Sequence, residues 1–274
     1  MDSSGFILFW QEVIFNSKAI SILVIFWFYK VMKIIFYNIA FGTGLNGSWK
    51  QYILKVTRFL WTPLWAIRKI ADTLKKEKAD VICLAEVDNG SFRNRFRCQA
   101  KSLATWLKFR FFKTQNKYVP WSIWRFMTVV RNQHDAVLSH HEGEVKTHHL
   151  TVGMQRTVME FVVKGVSIFV VHLAVLSKKA RQKQMKELAA ILKKCKRPYL
   201  VCGDFNLHHG LREIKRFIKK TKMKLVRTPK TFPSFKPDRT IDLFLSSPGL
   251  RVKEAGIINV PFSDHLPVWV RLEG

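Results

Sequence analysis

An acid and an amide follow a short apolar run in the second half of the chain. Residues 199–202 (Tyr-Leu-Val-Cys) are apolar and β-favouring, which is typical of a strand buried on both faces. Asp204 and Asn206 come next, two residues apart, so an extended chain would point both side chains the same way from the strand's carboxyl end. Taken alone, this Gly-Asp-Phe-Asn stretch indicates equally well a strand end with an Asx-type turn. Similar stretches elsewhere in the chain favour a polar site.

Other apolar runs also end in polar residues. The run at residues 33–39 presents Asn38 near its end, and the run at 79–85 is followed by Glu86. A lone carboxylate such as that of Glu86 is unfavourable to bury, so we expect it to bind a metal ion or a basic group. The same pattern yields a set of polar side chains at strand ends or loop starts: Asn38, Glu86, His172, Asp204, Asn206, Asp242, Asp264 and His265.

These side-chain types indicate chemistry with a hard cation. Carboxylate and amide oxygens suit Mg²⁺ or Mn²⁺, held by a few protein groups together with water and substrate phosphate. Two histidines with several acids could instead bind zinc, but the close His-x-x-x-His spacing common in zinc sites is absent. The adjacent Asp264 and His265 are informative, because an acid bonded to an imidazole fixes its tautomer and raises its pKa. A general acid-base residue or a phosphate clamp needs that arrangement.

Strands and helices alternate along the chain without a repeat or a low-complexity linker. Helical spacing of apolar residues predicts helices at about residues 63–78, 94–108, 178–194 and 211–221. A hairpin is predicted around Lys164-Gly165, with strands at residues 157–163 and 167–171, the second delivering His172. A strand at 240–246 would carry Asp242 inside it. We therefore predict a single domain at residues 32–274, built from two packed sheets flanked by helices.

The net charge of the 274-residue chain is +28, and its pI is near 10.3. Such an excess of positive charge favours polyanionic partners: nucleic acid, anionic lipid headgroups or phosphorylated substrates. A generally basic proteome or a solubility device would also explain it. The four cysteines form no Cys-x-x-Cys pair, so we expect neither disulfides nor a zinc site and predict a reducing, cytoplasmic location.

The first 31 residues form a separate apolar segment. Residues 6–29 are strongly apolar, but Glu12 and Lys18 interrupt them, and no basic n-region or small-residue cleavage site marks a secretory signal. Three interpretations stay open: a membrane-associating helix beside the basic body, a helix packed on the domain, or an upstream extension of a domain that begins near Met32.

Aromatic and basic residues alternate between positions 92 and 131. A surface that binds nucleic acid by stacking and electrostatics would have this composition. Ordinary core aromatics with solvated charges on the opposite face would have it too.

Six short blocks together resemble the endonuclease/exonuclease/phosphatase superfamily. In chain order they are Tyr-Asn-Ile at 37–39, Leu-Ala-Glu-Val at 84–87, Val-His-Leu at 171–173, Gly-Asp-Phe-Asn at 203–206, Ile-Asp-Leu at 241–243 and Ser-Asp-His-Leu-Pro at 263–267. Each block is weak alone, but the ordered set is specific. The resemblance implies an α/β (α+β) fold: a four-layer sandwich of two central, mostly antiparallel β-sheets flanked by helices, with the site at one rim.

The resemblance also implies roles for the polar residues. Glu86 would be the principal Mg²⁺ ligand (Mn²⁺ being an alternative ion), with Asn38 close by. Asp204 would orient or activate the attacking water. The metal set is thus Asn38, Glu86 and Asp264.

On the phosphate side, the resemblance implies that Asn206 holds the scissile group. His265, steadied by Asp242 or Asp264, would neutralise the charge that builds on the phosphate. His172 would be a second imidazole there, as in the nuclease, sphingomyelinase and inositol-phosphatase branches. The catalytic set is thus His172, Asp204, Asn206, Asp242 and His265.

The chain departs from the family pattern in one segment and matches it at two further residues. Members of the superfamily often have Gly-Asn-Ala where this chain has His134-Asp135-Ala136, so the asparagine's phosphate-binding role does not carry over. Arg181 and Gln184 match a common family pattern, but a solvated helix face explains them equally well.

The predicted activity is hydrolysis of a phosphoester by in-line attack of water, dependent on a divalent metal. The charge favours a nuclease acting on DNA or RNA. The alternative is a membrane-surface phospholipid or sphingomyelin phosphodiesterase, or an inositol-phosphate phosphatase, which the apolar amino-terminal segment favours. Nucleic acid, or else an anionic membrane surface, is the expected partner, no protein partner is indicated, and we expect a monomer.

Overall fold

The computed structural model describes residues 31–127 and 130–273. The predicted apolar segment therefore lies outside the described residues, apart from Val31. In the part of the chain that is described, none of the helices has the length and apolar character needed to cross a membrane.

The described residues form two six-stranded sheets. Sheet I has the strand order β11-β12-β1-β2-β4-β3, and sheet II has the order β5-β6-β7-β8-β10-β9. The strands are β1 (Met32–Asn38), β2 (Val81–Asp88), β3 (Phe111–Asn116), β4 (Gln133–Ser139), β5 (Glu144–His149), β6 (Thr157–Val163), β7 (Val166–His172), β8 (Tyr199–Asp204), β9 (Lys224–Val226), β10 (Asp242–Ser246), β11 (Val252–Ile257) and β12 (Val268–Leu272).

Most neighbouring strands are antiparallel, but each sheet has one parallel pair at its centre. β1 pairs with β2, and β7 pairs with β8. Parallel strands need a crossover connection, and a long helix forms part of each one here: α2 (Leu64–Lys76) and α4 (Lys178–Lys193). The other helices are α1 (Trp49–Leu54), α3 (Gln99–Trp106) and α5 (Lys215–Thr221), with short 3₁₀ turns at Ala40–Gly42, Val56–Phe59, Phe92–Asn94, Ile123–Arg125 and Leu211–Ile214.

Buried apolar side chains form three clusters, one between each pair of neighbouring layers. Between the sheets, Phe36 and Cys83 of sheet I belong to the same buried cluster as Val170 and Cys202 of sheet II. A second cluster lies between sheet I and the helices α2 and α3, and a third lies between sheet II and the helices α4 and α5. Gly203 lets β8 lie close to β7, because a Cβ there would be 1.9 Å from the backbone oxygen of Val171. The predicted four-layer α/β sandwich is confirmed.

Several element boundaries differ from the prediction. The helix expected at 94–108 begins only at Gln99, after a 3₁₀ turn, and the helix expected at 211–221 is a 3₁₀ turn followed by α5. Asp242 is the first residue of β10 and not an interior one. One helix and four strands were not predicted: α1, β3, β5, β9 and β11. All five are short, and the four strands lie at the edges of the two sheets. β5 in particular has the polar sequence Glu-Val-Lys-Thr-His-His of an exposed edge strand.

Candidate active site

The carboxyl ends of the central strands meet at one rim of the sandwich. Asn38 ends β1, His172 ends β7 and Asp204 ends β8. Within sheet II, Asp204 is in register with both His172 and Asp242. Between the sheets, Asn38 Nδ2 donates to Asp204 Oδ2 at 3.2 Å. This hydrogen bond joins the predicted metal side of the site to its predicted catalytic side.

Glu86 reaches this rim through an irregularity in its strand. The pairing of β2 with β4 shifts register between Leu84 and Val87, and Glu86 has a φ of 56°. That left-handed backbone is unusual for a residue with a side chain, and such conformations are concentrated at functional sites. The carboxylate is 22% exposed, and its Oε1 lies 3.6 Å from Lys117 Nζ and 3.9 Å from His172 Nε2.

His265 is fixed by Asp242. Its Nδ1 donates to Asp242 Oδ2 at 2.9 Å, and Thr231 Oγ1 donates to the same oxygen at 2.6 Å. His265 Nε2 is left facing the site, 3.7 Å from Asp204 Oδ2. Burial alone would lower the pKa of His265, but the surrounding carboxylates outweigh it, Asp242 most strongly, and raise the pKa to about 10. The ring is therefore an imidazolium at neutral pH.

Asp264 has a different partner. Its Oδ2 accepts a hydrogen bond from Tyr52 Oη at 2.6 Å, and its Oδ1 is 4.0 Å from His265 Nε2. Of the two acids that the sequence analysis considered as the partner of His265, Asp242 forms the direct hydrogen bond. Asp264 instead connects the site to α1, which contains Tyr52.

Asp204 and Asn206 form the turn that the sequence analysis gave as the simpler alternative. β8 ends at Asp204, Asn206 has a φ of 50°, and its backbone N–H donates to Asp204 Oδ1 at 2.9 Å. The extended alternation predicted for these residues is therefore wrong. Asn206 Nδ2 donates to the backbone oxygen of Leu173 at 3.0 Å, which ties together the loops that follow β7 and β8.

Burial raises the pKa of Asp204 to about 7. The positive charge of His265 acts against this shift, and the negative charge of Asp242 adds to it. A carboxylate with this pKa is suited to accept a proton near neutral pH.

Lys117 is a site residue that the sequence analysis missed. It is fully buried, and its Nζ lies 2.7 Å from His172 Nδ1. An ammonium group has only donors, so Nδ1 must accept and the ring proton must be on Nε2, the nitrogen that faces Glu86 and Asp204. Burial and the charge of Lys117 lower the pKa of His172 well below its usual value, so this imidazole is neutral.

Asp135 lies beside Lys117. Its Oδ1 is 4.0 Å from Lys117 Nζ and has no hydrogen-bond partner among the described residues. Burial raises the pKa of Asp135 to about 6, although the charge of Lys117 opposes the shift. Asp135 stands where the superfamily often has asparagine, and this acidic residue was the sequence feature that could have indicated a buried cation nearby.

Arg181 and Gln184 hold the loops beside the site. Arg181 forms a buried ion pair with Glu213 at 2.9 Å and donates to the backbone oxygens of Ala174 and Val175. Gln184 accepts from the backbone N–H of Ala174 and donates to the loop before β6. Both side chains are almost completely buried, so a solvated helix face does not explain them.

The donor set fits a divalent cation. One ligand atom each from Asp204, Asp242 and His265 lie within 4.8 Å of one another, so this buried group could hold a divalent metal once the charged His265 ring gives up a proton. The partly exposed Glu86 places a further carboxylate at the same rim, and Asn38 Oδ1, which accepts from the Ala40 N–H at 3.1 Å, has a second lone pair. Such oxygen-rich sets are preferred by Mg²⁺ and Mn²⁺.

Comparison with known proteins identifies a family and several solved structures that are similar to this chain. The sequence profile of the Endonuclease/Exonuclease/phosphatase family matches residues 37–265. No curated protein sequence matches the chain. Among solved structures, it is similar to an endonuclease/exonuclease/phosphatase from Beutenbergia cavernae, with a TM-score of 0.63 at 18% identity over 89% of this chain and 72% of that one.

Two further structures share the fold with different printed descriptions. A mannosyl-6-phosphatase from Bacteroides thetaiotaomicron gives a TM-score of 0.60 at 16% identity, over 89% of this chain and 100% of that one. The human Nocturnin catalytic domain with bound sulfate gives 0.59 at 16% identity, over 89% of this chain and 93% of that one. At such identities the likeness concerns the fold.

Proposed function

The chain belongs to the endonuclease/exonuclease/phosphatase family, and we propose that it is a phosphoester hydrolase that uses Mg²⁺, with Mn²⁺ as a substitute, to direct water at phosphorus. Glu86 would hold the ion with Asn38, and Asp264 would complete the predicted metal set. When bound, the cation would withdraw charge from a phosphoryl oxygen. Side chains of the protein would position the water, accept its proton and bind the phosphate.

Asp204 is proposed to orient the attacking water and to accept its proton. The raised pKa of Asp204 and its place between Asn38 and His265 support this role. The attack needs no covalent intermediate, because positioning and charge stabilisation supply most of the lowering of the barrier.

Two imidazoles and an amide are proposed to hold the phosphate. His265 would present a charged N–H from Nε2, and His172 a neutral one, towards the charge that develops on the phosphoryl oxygens. Asn206, at the same rim, would bind the scissile group. Preorganised donors of this kind stabilise a transition state without reorganising during the reaction.

One observation carries the proposal: Glu86, Asp204 and His265, which lie far apart in sequence, converge at one rim of the sandwich. Glu86 Oε1 and Asp204 Oδ2 both lie within 4 Å of His172 Nε2, at 3.9 and 3.8 Å, and His265 Nε2 is 3.7 Å from the same Asp204 oxygen. The test is hydrolysis of bis(p-nitrophenyl) phosphate with Mg²⁺ and with EDTA. Turnover that requires the metal supports the proposal, and turnover that is unaffected by EDTA contradicts it.

By charge alone, nucleic acid is the first candidate substrate. The net charge of +28 supports it, since binding to a phosphate backbone gains from counterion release and weakens steeply with added salt. The second candidate is a phosphoester carried at a membrane surface, which exposed aliphatic side chains near the site favour. Mg²⁺-dependent turnover of plasmid DNA, RNA, sphingomyelin and phosphoinositide, measured in parallel with the full chain, separates the two.

A further inference from the structure

A group of large apolar side chains beside the site faces solvent. It consists of Ile53, Leu54, Leu60, Trp61, Phe92 and Phe96, and we call it the apolar rim. Leu54 is 80% exposed, Ile53 65% and Phe96 72%. Single apolar side chains at a protein surface are common. A set of exposed aliphatic and aromatic side chains from two chain segments instead indicates an interaction surface.

The two chain segments that carry the apolar rim are joined to each other. A backbone hydrogen bond joins them, from Thr62 N–H to the oxygen of Arg93, at 2.9 Å. The Trp61 and Phe92 rings pack edge to face with centroids 5.8 Å apart, and Phe92 packs in the same way on Phe96 at 6.3 Å.

The apolar rim is also attached to the candidate active site. Tyr52 lies in α1 next to Ile53, and its hydroxyl donates to Asp264, the neighbour of His265. Whatever the apolar rim contacts would therefore lie close to the site.

Positive charge accompanies the apolar side chains. Residues 39–71 and 89–134, which contain the whole rim, include no aspartate or glutamate. The Arg95 guanidinium lies 4.8 Å from the Trp61 ring, and that of Arg58 lies 5.1 Å from the Trp65 ring. A partner of this surface must accept apolar side chains and offer negative charge.

Two classes of partner offer negative charge, and the aliphatic residues distinguish them. Single-stranded nucleic acid binds by stacking bases on aromatic rings, and Ile53, Leu54 and Leu60 have no ring. A bilayer takes both kinds of side chain: aliphatic groups enter the acyl boundary, aromatic rings lie at the headgroups, and arginine and lysine meet anionic lipids.

We propose that the apolar rim docks on an anionic lipid bilayer and holds the active site over phosphoesters at the bilayer surface. This inference rests on the proposed hydrolase function and specifies its substrate class as lipid-borne. The proposed bilayer contact is made by the apolar rim and not by residues 1–30. The test must therefore detect lipid contact at the apolar rim.

A fluorescent probe on the apolar rim provides that test. An environment-sensitive dye is attached at Leu54→Cys in the full chain, with Cys98→Ser and Cys195→Ser removing the two partly exposed thiols; Cys83 and Cys202 are buried. The control carries the dye at Ala190→Cys, an exposed position near the carboxyl end of α4 and therefore far from the rim. Vesicles of phosphatidylcholine with phosphatidylglycerol, vesicles of phosphatidylcholine alone, and single-stranded DNA are added in turn.

The expected result is a blue shift at position 54 with the anionic vesicles, quenching there by brominated acyl chains, and no change at position 190. No shift at position 54 with vesicles overturns the proposal. A shift with DNA alone assigns the surface to nucleic acid, and emission that is already blue before any addition shows that another part of the protein or a second copy covers the rim; either result also overturns it.

A charge variant gives an independent measure. Leu54→Glu should weaken partition to anionic vesicles by about tenfold, because one leucine's apolar transfer is lost and a negative charge is added. Ala190→Glu adds the same charge away from the rim and should not weaken it. Hydrolysis of soluble bis(p-nitrophenyl) phosphate is measured on the same proteins: if it persists while vesicle binding fails, only the membrane proposal is lost, and if it is absent from the unmodified chain, the proposed function itself fails.

Discussion

Asp242 accepts a hydrogen bond from His265 Nδ1 at 2.9 Å in the buried part of the site, and this pair leaves Nε2 as the nitrogen that faces Asp204. A group that stabilises developing negative charge must keep its proton at the pH of the reaction, and the carboxylate ensures this. The residues are separated by 23 positions in sequence, and they meet because β10 begins beside the end of β8.

The first prediction concerns this pair. His265→Ala should lower turnover by about 10²–10⁴-fold with the fold intact, because a charged donor to the phosphate is lost. Asp242→Asn should also lower it, because the imidazolium loses its main stabilising charge. Asp238→Asn is the matched control, since Asp238 is exposed and its carboxylate pairs with the exposed neighbour Arg239. Circular dichroism verifies folding, and a His265→Ala enzyme as fast as the unmodified protein would refute the role.

The pH dependence follows from the two shifted groups. Asp204 acts as an anion, so kcat/KM should rise as the pH increases through about 7, where this residue loses its proton. His265 acts as a cation, so kcat/KM should fall as the pH increases through about 10. In Asp242→Asn the alkaline limb should move to lower pH, because the carboxylate that raises the pKa of His265 is gone. An unmoved alkaline limb in that variant would separate His265 from the reaction.

Lys117 should support both the fold and the activity. Lys117→Met leaves Asp135 buried beside no cation, and removing one partner of a buried ion pair typically costs about 3–5 kcal/mol of stability. Adding Asp135→Asn removes the orphaned charge, so the double variant should recover most of that stability in denaturant unfolding. It should not recover the rate, because His172 still lacks the donor that fixes its tautomer. Equal recovery of rate and stability would assign Lys117 a structural role only.

The buried pair of Arg181 and Glu213 should stabilise the loops around the site. Arg181→Met leaves the Glu213 carboxylate unpaired in the interior, so a loss of about 3–5 kcal/mol in the free energy of unfolding is expected. Lys183→Met, an exposed position on the same helix, serves as the control and should change stability little. Chemical denaturation measures both, and equal stability of the two variants would show that the ion pair contributes nothing.

The sequence predicted the central strands well because their environment is simple. A strand buried on both faces must be apolar throughout, and the runs that became β1, β2 and β8 have that composition. The polar residues that end these strands were found for the same reason, since an abrupt change from apolar to polar is visible in one dimension.

What the sequence did not predict depends on contacts between distant segments. Nothing local distinguishes Lys117 from the many solvated lysines of this chain; its burial follows from packing against Glu86, Asp135 and His172. The partner of Asp264 could not be anticipated either, because Tyr52 lies in an unpredicted helix. The apolar rim was not predicted, because the sequence alone does not show which aromatic and aliphatic residues are exposed and which are buried.

Glu86→Gln tests the central claim most directly, because it removes the charge of the predicted metal ligand and changes almost nothing in size. Hydrolysis of bis(p-nitrophenyl) phosphate is followed against Mg²⁺ concentration, with Glu142→Gln, an exposed glutamate elsewhere, as the matched control. We predict that Glu86→Gln loses about 10²–10⁴-fold in turnover and needs more Mg²⁺, while Glu142→Gln behaves as the unmodified protein. Near-normal turnover by Glu86→Gln at the same Mg²⁺ concentration would contradict the account.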